Sequence, residues 1–197
     1  MTAFRRAAEG GFGIETDLRT SCDGVMVLFH DRCVRGAPVD RLTQTEISRR
    51  AGRVVPSLEE LLDADLGVPF NLEVKTTNAW RALKPRLDRL PASALLSSFI
   101  HRVVEDAAAS TNISCAHLVA SSPGAIWPMP APAPNRATIV WDYNVGDDET
   151  LRSASSRGFR NIVYGPVTVD EHERLQALGC AGVITDFPDR VRQDLAQ

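Results

Sequence analysis

No stretch of this chain approaches the roughly 18 consecutive apolar residues that a membrane-spanning helix requires. The N-terminal run Met1-Thr-Ala-Phe-Arg-Arg-Ala-Ala-Glu-Gly has no apolar core of the kind a signal peptide carries, so the expected location is the cytoplasm. No run of basic residues breaks a net charge of -3, which removes the electrostatic footprint of a nucleic-acid binder and of a protein held on anionic lipid. The four cysteines, Cys22, Cys33, Cys115 and Cys180, form no C-x-x-C pair and no metal-ligand spacing, and read as reduced thiols. What these absences leave is a protein without stable membrane insertion or a nucleic-acid partner. If it acts on a phosphate ester, the positive charge must be supplied locally, by a metal or by individual Lys and Arg side chains.

What is present is an ordinary globular balance, with 44% hydrophobic and 24% charged residues, enough to build a core. At 197 residues the chain suits one domain, 1–197, better than two. Short apolar runs that read as strands lie at Gly13–Arg19, Val25–Phe29, Phe70–Lys75, Leu95–Phe99, Ile113–Val119, Ile139–Tyr143, Asn161–Tyr164 and Gly182–Thr185. Helix signatures separate many of them. Thr43-x-x-Glu46, Ser57-x-x-Glu60 and Thr168-x-x-Glu171 are capping boxes, in which hydroxyl and carboxylate each satisfy an orphan backbone N–H. Gly179 suits the left-handed residue that ends the third of these helices.

Strands separated by helices imply βα units and a parallel sheet. The exception is Val25–Phe29, which follows Gly13–Arg19 after only a Ser-Cys-Asp-Gly turn and should fold back on it as an antiparallel hairpin arm. Without that arm seven strands remain in βα rhythm, one short of a (β/α)8 barrel. The proline-rich stretch Ser121–Asn135, around Trp127, excludes helix and central strand and is expected to be a long loop over one end of the barrel.

Chemistry concentrates in three strand segments. In Glu15-Thr-Asp17 the two acids, two apart on a strand, face one side, while Ile14 and Leu18 share the other. Carboxylates that close repel unless a proton or a cation lies between them. Phe70-Asn-Leu-Glu-Val-Lys75 repeats the pattern, with Glu73 and Lys75 opposed to Leu72 and Val74, and the hairpin arm ends in His30-Asp31. Singly, an E-x-D is more often a solvated face, and a lone histidine is more often bonded to nearby backbone. Together they place polar residues where a barrel strand would want apolar ones. Carboxylate oxygens fit a hard ion, Ca²⁺ or Mg²⁺, rather than zinc, and Lys75 would add a second positive point for a phosphate.

The other histidines are weaker candidates. His101 follows a strand end and reads as an exposed residue early in a helix, His117 as a core residue, and His172, between Glu171 and Glu173, as surface. Trp141, in Trp141-Asp142-Tyr143-Asn144, would either line a substrate pocket or pack in the core.

The ordered pieces E-T-D-L, D-G-V-M-V-L-F-H-D, V-P-S-L-E-E-L-L, N-L-E-V-K, S-S-F and G-V-I-T-D-F-P-D resemble glycerophosphodiester phosphodiesterases from residue 3 to about residue 190. The resemblance implies a TIM barrel and one divalent cation held at Glu15, Asp17 and Glu73. It also implies that His30 is one half of a general acid–base pair acting on a small phosphodiester. A hydroxyl of the substrate's glycerol would attack phosphorus and the alcohol beyond the phosphate would leave.

In the family a first strand ending in H-R-G, and a P-E-N-S or P-E-N-T segment, precede the part matched by Ala3-Phe4-Arg-Arg-Ala-Ala-Glu-Gly-Gly. The expected fold is therefore a TIM (β/α)8-type barrel lacking its first strand, and with it a second histidine, a phosphate-binding arginine and a metal-proximal glutamate. Loss of half an acid–base pair typically lowers a rate about 10²–10⁴-fold. The alternatives are a catalytically inactive barrel that binds metal or phosphate, and a related lyase that forms a cyclic phosphate. Met1 as a start placed too far downstream would account for the shortfall. The family's usual W-T-V-N is replaced by Val163-Tyr164-Gly165-Pro166-Val167.

Overall fold

The structure, a computed structural model, describes residues 1–121 and 131–191. Most of the proline-rich stretch, Trp127 included, lies outside the described residues. The chain forms two compact units, Met1–Ser114 and Cys115 onward.

The first unit runs α1 (Thr2–Glu9), β1 (Ile14–Thr20), β2 (Met26–Leu28), β3 (Cys33–Val34), β4 (Ala37–Pro38), α2 (Gln44–Ala51), α3 (Leu58–Asp63), β5 (Phe70–Val74), α4 (Thr77–Leu83), β6 (Leu95–Ser98) and α5 (His101–Ser110). Its sheet has the order β6-β5-β1-β2. β1, β5 and β6 are parallel, and β2 returns antiparallel beside β1 with Leu18 opposite Leu28. The hairpin turn is made by Ser21, whose hydroxyl donates to Asp23 and accepts from the Val25 N–H, and by Gly24, whose φ of 78° favours a residue without a Cβ.

Both capping boxes expected in this unit are formed: Thr43 with Glu46 starts α2, and Ser57 with Glu60 starts α3. The apolar side of the hairpin packs in a cluster of Val27, Phe29, Val34, Val39, Leu42, Ile47 and Val55. Leu18, Leu72 and Val74, the apolar alternates of β1 and β5, are buried, which sends Glu15, Asp17 and Glu73 to the opposite face.

The second unit contains β7 (Ser114–Val119), β8 (Thr138–Asp142), α6 (Asp148–Ser156), β9 (Arg160–Tyr164), α7 (Val169–Ala177) and β10 (Gly182–Ile184), with all four strands parallel in the order β7-β8-β9-β10. Thr168 and Glu171 form the third capping box, and Gly179, at φ 70°, follows the end of α7. The core here is Ile139, Trp141, Leu151, Ala154, Phe159, Val163 and Leu175.

All eight expected strands are present, with ends moved by a residue or so, and the short β3–β4 hairpin is an addition. His172 is a correction. It is buried, not on the surface: it shares the inner side of α7 with Leu175, three residues on, and its Nδ1 lies 2.6 Å from the Thr168 carbonyl. Among the described residues no helix is long and apolar enough to cross a membrane.

Leu72 is fully buried in the central strand pair, whereas Val54 is 78% exposed. Leu72→Ala should therefore cost about 2–5 kcal/mol in urea denaturation and Val54→Ala no more than about 0.5 kcal/mol. Equal midpoints for the two variants would contradict this packing.

Candidate active site

The register of β1 on β5 builds the site. Parallel pairing puts Glu15 opposite Asn71 and Asp17 opposite Glu73, and one ligand oxygen from each of Glu15, Asp17 and Glu73 lies within 4.8 Å of the others. Lys75, just past the end of β5, is anchored by its N–H on the Leu18 carbonyl and sends its ammonium between two of the acids, 2.9 Å from Asp17 Oδ1 and 2.6 Å from Glu73 Oε1. These side chains are only 9–16% exposed, so the pairing is little screened by solvent.

Burial raises the pKa of Glu73, and the charge of Asp17 adds to the rise against the pull of Lys75. For Lys75, burial alone would lower the pKa, but the hydrogen bonds to Glu73 and Asp17 outweigh it and the net direction is up. The lysine–glutamate contact thus lies inside a region that otherwise penalises charge.

His30 follows β2. The Phe29 N–H donates to the Asp17 carbonyl, which ties this segment to the carboxylate strand. The imidazole is 73% exposed, and its Nδ1 lies 2.9 Å from Asp31 Oδ1. That hydrogen bond, with the neighbouring imidazole charge, holds the Asp31 carboxyl below its usual range. An ionised carboxylate only accepts, so Nδ1 carries the proton and Nε2 is left with a lone pair in the neutral ring.

Five of the six residues singled out from sequence thus lie in the first unit, and four of them, Glu15, Asp17, Glu73 and Lys75, meet. Trp141 belongs to the second unit. It is 5% exposed in that unit's core, with its indole N–H donated to Asn161. His117 is buried and His101 is the exposed first residue of α5.

Three polar residues escaped the sequence reading. Arg19 continues the Glu15–Asp17 alternation, and its Nε donates to the His30 carbonyl at 2.9 Å. Asn71 and Ser97, which flank Glu73 along β5 and across on β6, each carry a buried oxygen with no hydrogen-bond partner among the described residues. The period of two would have found all three, had it been extended one step along each strand.

These orphaned oxygens test whether a cation suits the site. Apart from its contact with Lys75, Glu73 Oε1 accepts no hydrogen bond among the described residues, and together with Asn71 Oδ1 and Ser97 Oγ it leaves buried oxygen atoms around the acids. An all-oxygen environment of this kind fits a hard divalent ion.

Comparison with known proteins agrees with the geometry. Residues 1–122 match the sequence model of the Glycerophosphoryl diester phosphodiesterase family. The chain is 30% identical over 223 aligned positions to probable glycerophosphodiester phosphodiesterase 2 of Mycobacterium tuberculosis, covering 99% of this chain and 84% of that protein.

Among solved structures, the Oleispira antarctica phosphodiesterase in complex with the product sn-glycerol-3-phosphate superposes with a TM-score of 0.80 at 18% identity, covering 99% of this chain and 89% of that one. The Thermotoga maritima glycerophosphodiester phosphodiesterase gives 0.74 at 21% identity, over 94% and 86%. These superpositions show an α/β fold of the TIM-barrel type. The chain belongs to the glycerophosphoryl diester phosphodiesterase family.

Removing the innermost acid by Glu73→Ala should abolish Mg²⁺ or Ca²⁺ binding in calorimetry, and retained affinity would exclude the three-carboxylate site. Ion binding needs the ionised acid, and the Glu73 pKa lies above its ordinary 4.5. Affinity in the wild type should therefore fall on acidification from a higher pH than an unshifted carboxylate would give.

Proposed function

We propose that the chain hydrolyses a glycerophosphodiester or a similar small phosphodiester to an alcohol and a phosphomonoester, using one divalent cation, Ca²⁺ or Mg²⁺, at Glu15, Asp17 and Glu73. The observation that carries this reading is the convergence of these three carboxylates within 4.8 Å, beside a buried lysine. The phosphomonoester found as product in the Oleispira antarctica structure supports the direction of cleavage.

The ion would neutralise charge on the non-bridging phosphate oxygens. Lys75 has three N–H donors, of which two are directed at Asp17 and Glu73, leaving one for a phosphate oxygen. His30, with Nδ1–H on Asp31, has Nε2 available to take a proton from an attacking hydroxyl or return one to the departing alkoxide. Attack by a glycerol hydroxyl would expel the alcohol first, and water would then open the cyclic phosphate to the monoester. Residues 1–197 act in this reading as one catalytic domain in the cytoplasm, on soluble diesters derived from lipid breakdown.

His30→Ala should lower turnover of glycerophosphocholine by about 10²–10⁴-fold while leaving divalent-ion affinity unchanged. Phosphorus NMR of the wild-type reaction should end on a phosphomonoester. A cyclic phosphate as the final product would make the protein a lyase, and ion binding without any turnover would make it an inactive binding barrel.

A further inference from the structure

We propose that Arg19 is a substrate-binding residue that grips the phosphate through its terminal nitrogens, an assignment that rests on the phosphodiesterase reading above. Three observations lead there. Arg19 is the third member of the Glu15–Asp17–Arg19 alternation, which puts it on the carboxylate face of β1. Asp17, Glu73 and Asp31 all act on its charge, so the half-buried guanidinium lies within electrostatic reach of the site's acids. Its Nε is committed to the His30 carbonyl at 2.9 Å, while among the described residues neither Nη has a hydrogen-bond or ion-pair partner.

An arginine held by one edge and open at the other is pre-organised. The bond to His30 removes much of the rotamer freedom that a long side chain would otherwise lose on binding. The open edge presents paired N–H donors whose spacing matches two oxygens of a phosphate.

Charge favours the same ligand. With Asp31 ionised beside a neutral His30, four carboxylates against Lys75 and Arg19 leave the site with two net negative charges. A divalent ion brings it to neutrality. Without Arg19 the loaded site would keep one net negative charge and repel a phosphodiester. Lys75 does not replace it, because most of its donors are already directed at acids.

The test uses the full chain saturated with Mg²⁺ and measures binding of inorganic phosphate and of sn-glycerol 3-phosphate by calorimetry, alongside kcat and KM for glycerophosphocholine. Arg19→Ala should weaken both anions by roughly tenfold to a hundredfold, the range expected for hydrogen bonds to a charged group. KM should rise, and Mg²⁺ affinity should stay within about twofold.

Arg19→Lys, which keeps the charge without the fork, should fall between wild type and alanine. Arg19→Gln keeps an N–H donor for the His30 carbonyl and removes the charge. It should lose anion affinity like alanine, and it provides the measurement if Arg19→Ala fails to fold. Full anion affinity in Arg19→Gln or Arg19→Ala, with only kcat reduced, would overturn the assignment and leave Arg19 as a positioning residue for His30. Failure of the wild-type, Mg²⁺-loaded chain to bind either anion would instead overturn the phosphodiesterase reading itself.

Discussion

Asp17 and Glu73 lie side by side because two parallel strands pair in one register, and the chemistry of the protein depends on that adjacency being tolerable. Two like charges about 4 Å apart in a medium of effective dielectric near 20 repel by about 4 kcal/mol, a large fraction of the stability of a typical domain. Lys75 offsets this by lying against both acids. The arrangement cannot be relaxed by sliding the strands. A shift of one residue would turn Glu73 into the apolar interior and bring Leu72 and Val74 into the polar site. The apolar faces of β1 and β5 therefore do more than fill a core: they fix the register that presses the acids together. Loss of the lysine from such a pair typically costs about 3–5 kcal/mol, because charge would be left buried and uncompensated.

The cluster is consequently poised between two cations. The ammonium of Lys75 satisfies it in part, yet Glu73 still has its pKa raised by burial and buried oxygens remain without donors. A region that pairs fully with its own lysine would have little affinity for an external ion. One with no lysine would be hard to fold without the ion. Here the lysine offsets part of the charge of the acids and oxygen atoms are kept in reserve, an arrangement that suits a hard ion binding to an already folded chain.

Much of this was legible in the sequence, because the signals are periodic and local. Alternation at Ile14–Leu18 and Phe70–Lys75 locates both the strands and their polar face, and the Thr–Glu and Ser–Glu spacings locate three helix starts. Some of what escaped had no period to show. Two residues each in β3 and β4 are too few to alternate. His172 was hidden by its charged neighbours, since which side of α7 faces inward is decided by what packs against it rather than by adjacent residues. Arg19 followed the pattern, but its bond to His30 spans eleven positions and exists only because the hairpin brings the two ends together. The division into two compact units, a matter of long-range contacts, likewise has no mark in composition.

The histidine shows how position is secured where packing is absent. His30 and Asp31 are each more than 70% exposed, and an exposed pair of this kind contributes little to stability. Such a bond sets the tautomer of the imidazole without holding the ring in place. The backbone does the holding: the Phe29 N–H bonds to Asp17, and the His30 carbonyl receives the guanidinium of Arg19. Both tethers come from β1, the strand that carries Glu15 and Asp17. His30, the proposed proton-transferring group, and two of the three carboxylates are thereby referenced to a single rigid element. A shift of β1 would carry Glu15, Asp17 and the main-chain anchors of the histidine together, preserving the distances on which the proposed reaction depends.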